Sequence, residues 1–257
     1  MRFEKKNTEV IDDPVRHAES VYQKRFHAVQ KAVPWESVSG VCVTSQFSSL
    51  GKGYQRHCGP VAITNLILTL DKWSLCGKNR ENTERVKGRY TDSGQNWQDC
   101  GQSLLPEDVF LRVSRIGEKT LIYHNMDLFH HFGGTSDALT GLYIRVCLRK
   151  YHLVCSVLPC VPYRKGLFME WAKEGRILYL QLRNHPCYGD HHVICYGAVE
   201  VESEDREEHE LYLAIADGWA PHLRYLAVSG LGICFVHQII PEKNRQKISA
   251  GRTGGSI

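Results

Sequence analysis

Five short apolar or alternating runs follow one another between Arg176 and Ile240, and they constrain most strongly what this chain can fold into. RILYLQLR, HHVICYGAVEV, ELYLAIADGW, HLRYLAV and GICFVHQII are each of strand length and are separated by turn residues. The segments before them have a different period. LPEDVFLRVSRIGEK (105–119) and TSDALTGLYIRVCLRKY (135–151) carry start signals, Pro106 in one and Ser136 or Asp137 in the other, followed by apolar residues at helical spacing. LFMEWAKEG, ending at Gly175, reads as a third helix of this group. Helices first and strands afterwards predict an α+β fold with a mainly antiparallel sheet. ESEDREEHE, between two strands, reads as a solvated hairpin tip.

The N-terminal third is organised around a second apolar helix. Residues 14–33 place Val15, Ala18, Tyr22, Phe26 and Val29 at steps of three or four behind Pro14, which predicts one helix within an N-terminal extension of residues 1–33. SVSGVCVTS is β-branched and reads as a strand, and FSSLGKGYQRH reads as a loop. The main domain is expected over 34–240, interrupted by a polar insertion at about 74–103. The polar, Gly-rich tail 241–257 is expected to be disordered.

Composition narrows the function classes. The 257 residues are 42% hydrophobic and 23% charged, as in a globular protein, and the net charge of +4 is dispersed rather than gathered in a basic run. A nucleic-acid partner is therefore not expected, and no stretch approaches the roughly 20 apolar residues of a membrane span. Ten cysteines occur with no CxxC pair, and no apolar leader opens the chain. Reduced thiols, a cytoplasmic location, and no disulfide framework, metal or cofactor are the corresponding expectations.

One cysteine stands apart. In RHCGPVAITNLILTL, Cys58 opens an apolar helix whose first turn accommodates Pro60. The positive end of the helix dipole there favours thiolate. A cysteine nucleophile needs a base, a group that orients the base, and donors for an oxyanion. His191 and His192 enter a later strand, where alternation puts His191, Val193 and Cys195 on one face and His192, Ile194 and Tyr196 on the other. Asp217 closes the following strand, ahead of Gly218 and Trp219. Gln46 lies upstream of Cys58 and supplies an amide for the oxyanion, with Gln55 as a rival. His130 and His131 precede a Gly-Gly loop without a third ligand nearby and read as surface or cleft residues.

CGP at a helix start, a later H-x-V-x-x-x-G strand and a strand end in DGW together resemble the papain-like cysteine peptidases. The branch they resemble most is the bacterial one of bacteriocin-processing, double-glycine-leader peptidases. The resemblance spans about residues 34–240. It implies a papain-like fold, a helical lobe carrying the nucleophile followed by an antiparallel sheet lobe. It also implies Cys58 as nucleophile, Asp217 as the orienting group and Gln46 at the oxyanion position. His191 takes the base position, because the family's histidine stands six residues before the strand glycine, here Gly197. Gly59, Trp219 and His192 are the expected substrate contacts, and the substrate is a peptide or protein. The implied reaction is hydrolysis of a peptide or isopeptide amide through a thioester. A deamidase or acyltransferase would use the same triad, and a binding module would keep the fold without the chemistry. Gly254-Gly255 in the tail is a candidate cleavage segment.

Overall fold

In a computed structural model, the described residues are 9–32, 41–44, 57–82, 104–124, 134–160 and 164–241. The helices are α1 (Pro14–Tyr22), α2 (Cys58–Asn82), α3 (Pro106–Lys119), α4 (Thr140–Lys150) and α5 (Leu167–Lys173). The strands are β1 (Phe26–Ala32), β2 (Tyr123–His124), β3 (Gly134–Thr135), β4 (Cys155–Cys160), β5 (Ile177–His185), β6 (Gly189–Ser203), β7 (His209–Ala216), β8 (Arg224–Ala227) and β9 (Ile233–Pro241). The fold is mixed α+β, and every strand pairing among these residues is antiparallel.

The main sheet runs β4-β9-β5-β6-β7-β8. β6 is 15 residues long and serves two partners along one edge. Its first half pairs with β5 (Gln181 opposite His192) and its second half with β1 (Ala32 opposite Ala198). Side-chain alternation then sorts the strands into two faces. Ile177, Tyr179, Ile194 and Tyr196 face a core built with Ile63, Leu66 and Ile67 of α2, Val113 of α3 and Ile144 of α4. Leu178, Leu180, Val193, Cys195 and Ile215 face Phe168 and Trp171 of α5. Helices thus cover both sides of the sheet, which excludes water from its apolar residues and supplies the main favourable term in folding.

A buried hydroxyl ties α2 to the sheet. Tyr196 Oη donates to the Asn65 carbonyl at 3.0 Å, and Thr69 Oγ1 lies 2.9 Å from Tyr196 Oη. Thr69 Oγ1 in turn accepts the Cys42 N–H at 2.9 Å, and Asn65 Oδ1 accepts the Thr44 N–H at 2.8 Å. Cys42 and Thr44 of the SVSGVCVTS segment therefore dock on side chains of α2. The segment's described part, 41–44, forms no strand.

Other sequence expectations also need correction. The helix expected over 14–33 is a nine-residue helix followed by β1. Asp13 caps α1 by accepting the N–H groups of Val15 and Arg16, and Gln23 ends it at φ 57°. Pairing with β6 then wins over the helical spacing, so Phe26–Ala32 is an integral strand of the sheet rather than part of a helical extension. α2 continues through Asn82, so the polar section begins as helix. Gln46, Gln55, His130, His131, the rest of the expected insertion (83–103) and the Gly254-Gly255 tail lie outside the described residues. Among the described residues, no helix is long and apolar enough to cross a membrane.

Candidate functional site

The β6–β7 pairing ends at Ile194 opposite Ala216, two residues after His192 and one before Asp217. The first turn of α2 sits at this opening. Gly218, at φ 75°, faces Val61 so closely that a Cβ there would stand 2.9 Å from Val61 Cγ1. Gly59 is covered by β3, because a Cβ on it would overlap the Thr135 side chain. Two glycines thus let a turn and a hairpin close on the residues around Cys58. Gly59 is buried beneath Thr135 rather than presented to a substrate, as the sequence had suggested.

Cys58 is a partly buried free thiol. Val61 N–H bonds the His57 carbonyl at 3.0 Å, so the Cys58 N–H falls in the first turn, where no intrahelical acceptor exists. The N–H groups of His192, Gly59 and Cys58 itself favour the thiolate, as does the charge of Arg183. Desolvation is the larger effect, and it pushes the thiol above its ordinary value. The thiolate that a helix start favours in the sequence is therefore outweighed by burial in the resting site.

The His192 nitrogen that faces the sulfur is two covalent bonds from the His191 α-carbon. The His192 main chain therefore adjoins Cys58, but among the described residues no hydrogen bond joins the Cys58 sulfur to the His191 ring, and the hydrogen bonds of the two histidines separate their roles. His192 is buried, with Nδ1 3.0 Å from Tyr179 Oη and Nε2 3.9 Å from Asp137 Oδ1. Burial holds it to about 3, a neutral ring with neighbours at both nitrogens. It is a packed residue rather than the substrate contact expected. His191 Nε2 donates to the main-chain carbonyl of Asp217 at 2.7 Å. A carbonyl only accepts, so this bond fixes the tautomer and leaves Nδ1 as the basic nitrogen. Among the described residues Nδ1 makes no hydrogen bond. Burial lowers the His191 pKa, opposed by the carbonyl and carboxylate of Asp217.

His191 is held by rings as well. Tyr188, in the β5–β6 turn, stacks on it at 5.6 Å and 12°, and Trp219 leans on it at 5.1 Å. Trp219 remains partly exposed, as a residue at the rim of a site would. His185 Nδ1 accepts the N–H groups of Cys187 and Tyr188, each at 3.2 Å, which shapes the turn that delivers Tyr188.

Asp217 differs from its expected role. Its fully buried carboxylate does not meet the imidazole. Oδ1 accepts the N–H groups of Trp219 and Ala220 at 2.9 and 3.3 Å, and Oδ2 accepts from Arg224 at 2.8 Å and Tyr188 Oη at 3.2 Å. The main-chain carbonyl is what orients His191. Sequence reasoning missed Tyr188, Tyr179 and Arg224, since a turn tyrosine, a core tyrosine and a strand-end arginine carry no periodic or motif signal. Compared with protein-family models the chain matches none, and compared with curated proteins it likewise matches none.

Proposed function

We propose that the protein is a cysteine hydrolase that cleaves a peptide or isopeptide amide at Cys58, on a papain-like version of its α+β fold. The supporting observation is the site at the start of α2. The Cys58 sulfur faces the His192 main chain, and the neighbouring His191 is held as the Nε2–H tautomer, its basic Nδ1 without a hydrogen bond among the described residues. In this reading Cys58 and the carbonyl-held His191 close on one another with the Nε2–Asp217 bond kept, which brings Nδ1 to the thiol. The proton passes to Nδ1 as sulfur attacks the carbonyl, so the neutral resting pair suits general-base catalysis. The Cys58 N–H, unpaired within the helix, donates to the developing oxyanion, and Gln46 is the side-chain donor proposed beside it. Imidazolium His191 then protonates the leaving amine, and water hydrolyses the thioester.

Acid quenching during incubation with a fluorogenic peptide-amide library tests the reading. An acyl mass on the Cys58 peptide, absent in Cys58→Ala, is expected. Library turnover that survives Cys58→Ala overturns it, as does the absence of both turnover and acyl mass. The raised thiol favours a second reading, a binding module that retains the fold, and that outcome would support it.

A further inference from the structure

Arg224, on β8, is the one cation whose hydrogen bond reaches the Asp217 carboxylate among the described residues. Its Nη1 bonds Oδ2 at 2.8 Å, and its side chain is 18% exposed against 0% for Asp217. On its other side, Arg224 Nε lies 3.4 Å from Asp12 Oδ1, an oxygen that also faces His222 Nε2 at 3.2 Å. Ile11 is pinned next to it, since its carbonyl accepts the Tyr225 N–H at 2.8 Å and its side chain is buried. A continuous chain of contacts therefore runs from the N-terminal segment through Arg224 and Asp217 to His191.

We propose that Arg224 is a positioning residue for His191: by occupying the Asp217 carboxylate, it leaves the Asp217 main-chain carbonyl as the imidazole's partner. This rests on reading His191 as the base, yet it concerns the imidazole alone. With every carboxylate oxygen engaged by Arg224, Tyr188 or main-chain N–H groups, the negative charge beside His191 is compensated. The ring stays neutral with its proton on Nε2. The groups that face or adjoin it support that state: His57 before α2 opposes a positive charge on the ring, Asp217 pulls the other way, and His185 on β5, held to about 4 by burial and by His191, is neutral. Tyr188 stacks on the ring and Cys187 adjoins it in the turn, both neutral, and Asp190 is engaged by Arg183 at 3.0 Å. Without Arg224 the carboxylate acts uncompensated, and His191 takes up a proton at higher pH.

Nitrogen-15 NMR reads both the tautomer and the titration midpoint of His191, assigned with a His191→Gln variant, and needs no substrate. Arg224→Met is expected to raise the midpoint by about one pH unit. Arg224→Lys, which restores a cation, returns it toward the wild-type value. In Asp217→Asn, where the carbonyl remains, Nε2–H persists and the Arg224→Met effect disappears in the double variant. An unchanged midpoint in folded Arg224→Met overturns the proposal. If Arg224→Met fails to fold, the Asp217→Asn arm decides: loss of the Nε2–H tautomer overturns it and retention supports it. Failure of the hydrolase reading would show instead as absent turnover and acyl mass with this imidazole behaviour intact.

Discussion

Gly218→Ala tests whether the turn after Asp217 is seated on α2 as the structure has it. Gly218 adopts φ 75°, and its missing side chain is what admits Val61 Cγ1, which would lie 2.9 Å from an added Cβ. The left-handed conformation costs an alanine about 1–2 kcal/mol. Forcing a methyl against a buried valine adds about 1–3 kcal/mol. Val61 is 2% exposed, so neither side has free space to yield. The total expected loss is about 2–5 kcal/mol, read as a shift in urea midpoint with unchanged slope. Val61→Ala alone should cost about 1.5 kcal/mol for its two methyl groups. In the double variant the overlap disappears, leaving the backbone strain and the Val61→Ala loss. Its loss should therefore fall short of the sum by about 1–3 kcal/mol. Strict additivity would refute the packing of Gly218 against Val61, and with it the placement of Asp217 beside the start of α2.

Two further outcomes follow from the buried polar groups. Burial holds His185 to about 4 and His192 to about 3 and also lowers His191, against an ordinary 6.5. The unfolded chain takes up these protons first, so stability is complete above about pH 6.5 and falls by several kcal/mol as pH drops through the interval toward those lower values. Urea midpoints at about pH 7.5 and about pH 4.5 check this, and equal midpoints would contradict it. Asp217→Ala strands four donors, including the Arg224 guanidinium, and should cost about 3–5 kcal/mol. Asp217→Asn retains acceptor capacity and should cost less than half as much; a urea series giving equal losses would contradict the network.

Much of the fold was legible because its elements obey a single period. α3, α4 and α5 repeat at helical spacing, and β5 to β9 are short apolar or alternating runs between turns. β1 was not legible, because Phe26 and Val29 satisfy the helical spacing begun at Val15. Only pairing with the far half of β6 and the turn at Gln23 decide for a strand. β4 was missed because CSVLPC is a short edge strand without strong alternation. The continuation of α2 to Asn82 was hidden by its polar composition. In the site, His191 was pointed to by the resemblance, through the family's six-residue spacing to the strand glycine, and alternation correctly separated Val193 and Cys195 from Ile194 and Tyr196. What no pattern carried was the partner of each polar atom. Whether Asp217 meets His191 through its carboxylate or its carbonyl depends on Arg224 and Tyr188, both brought there by tertiary structure. The thiol's upward shift likewise depends on how deeply β3, β6 and α2 enclose it, a packing quantity rather than a local one.

The claim that Cys58 is a nucleophile served by His191 is tested most directly by site-resolved alkylation. Protein treated with iodoacetamide at neutral pH for short intervals is digested, and the modified fraction at each cysteine is measured by mass spectrometry. The partly buried thiols Cys155, Cys160 and Cys187 provide internal references. General-base assistance predicts that Cys58 is modified roughly tenfold or more faster than these, despite its raised thiol, and that His191→Gln removes the advantage while His192→Gln in folded protein leaves most of it. Modification of Cys58 no faster than the reference thiols, or an advantage that survives His191→Gln, would contradict the account.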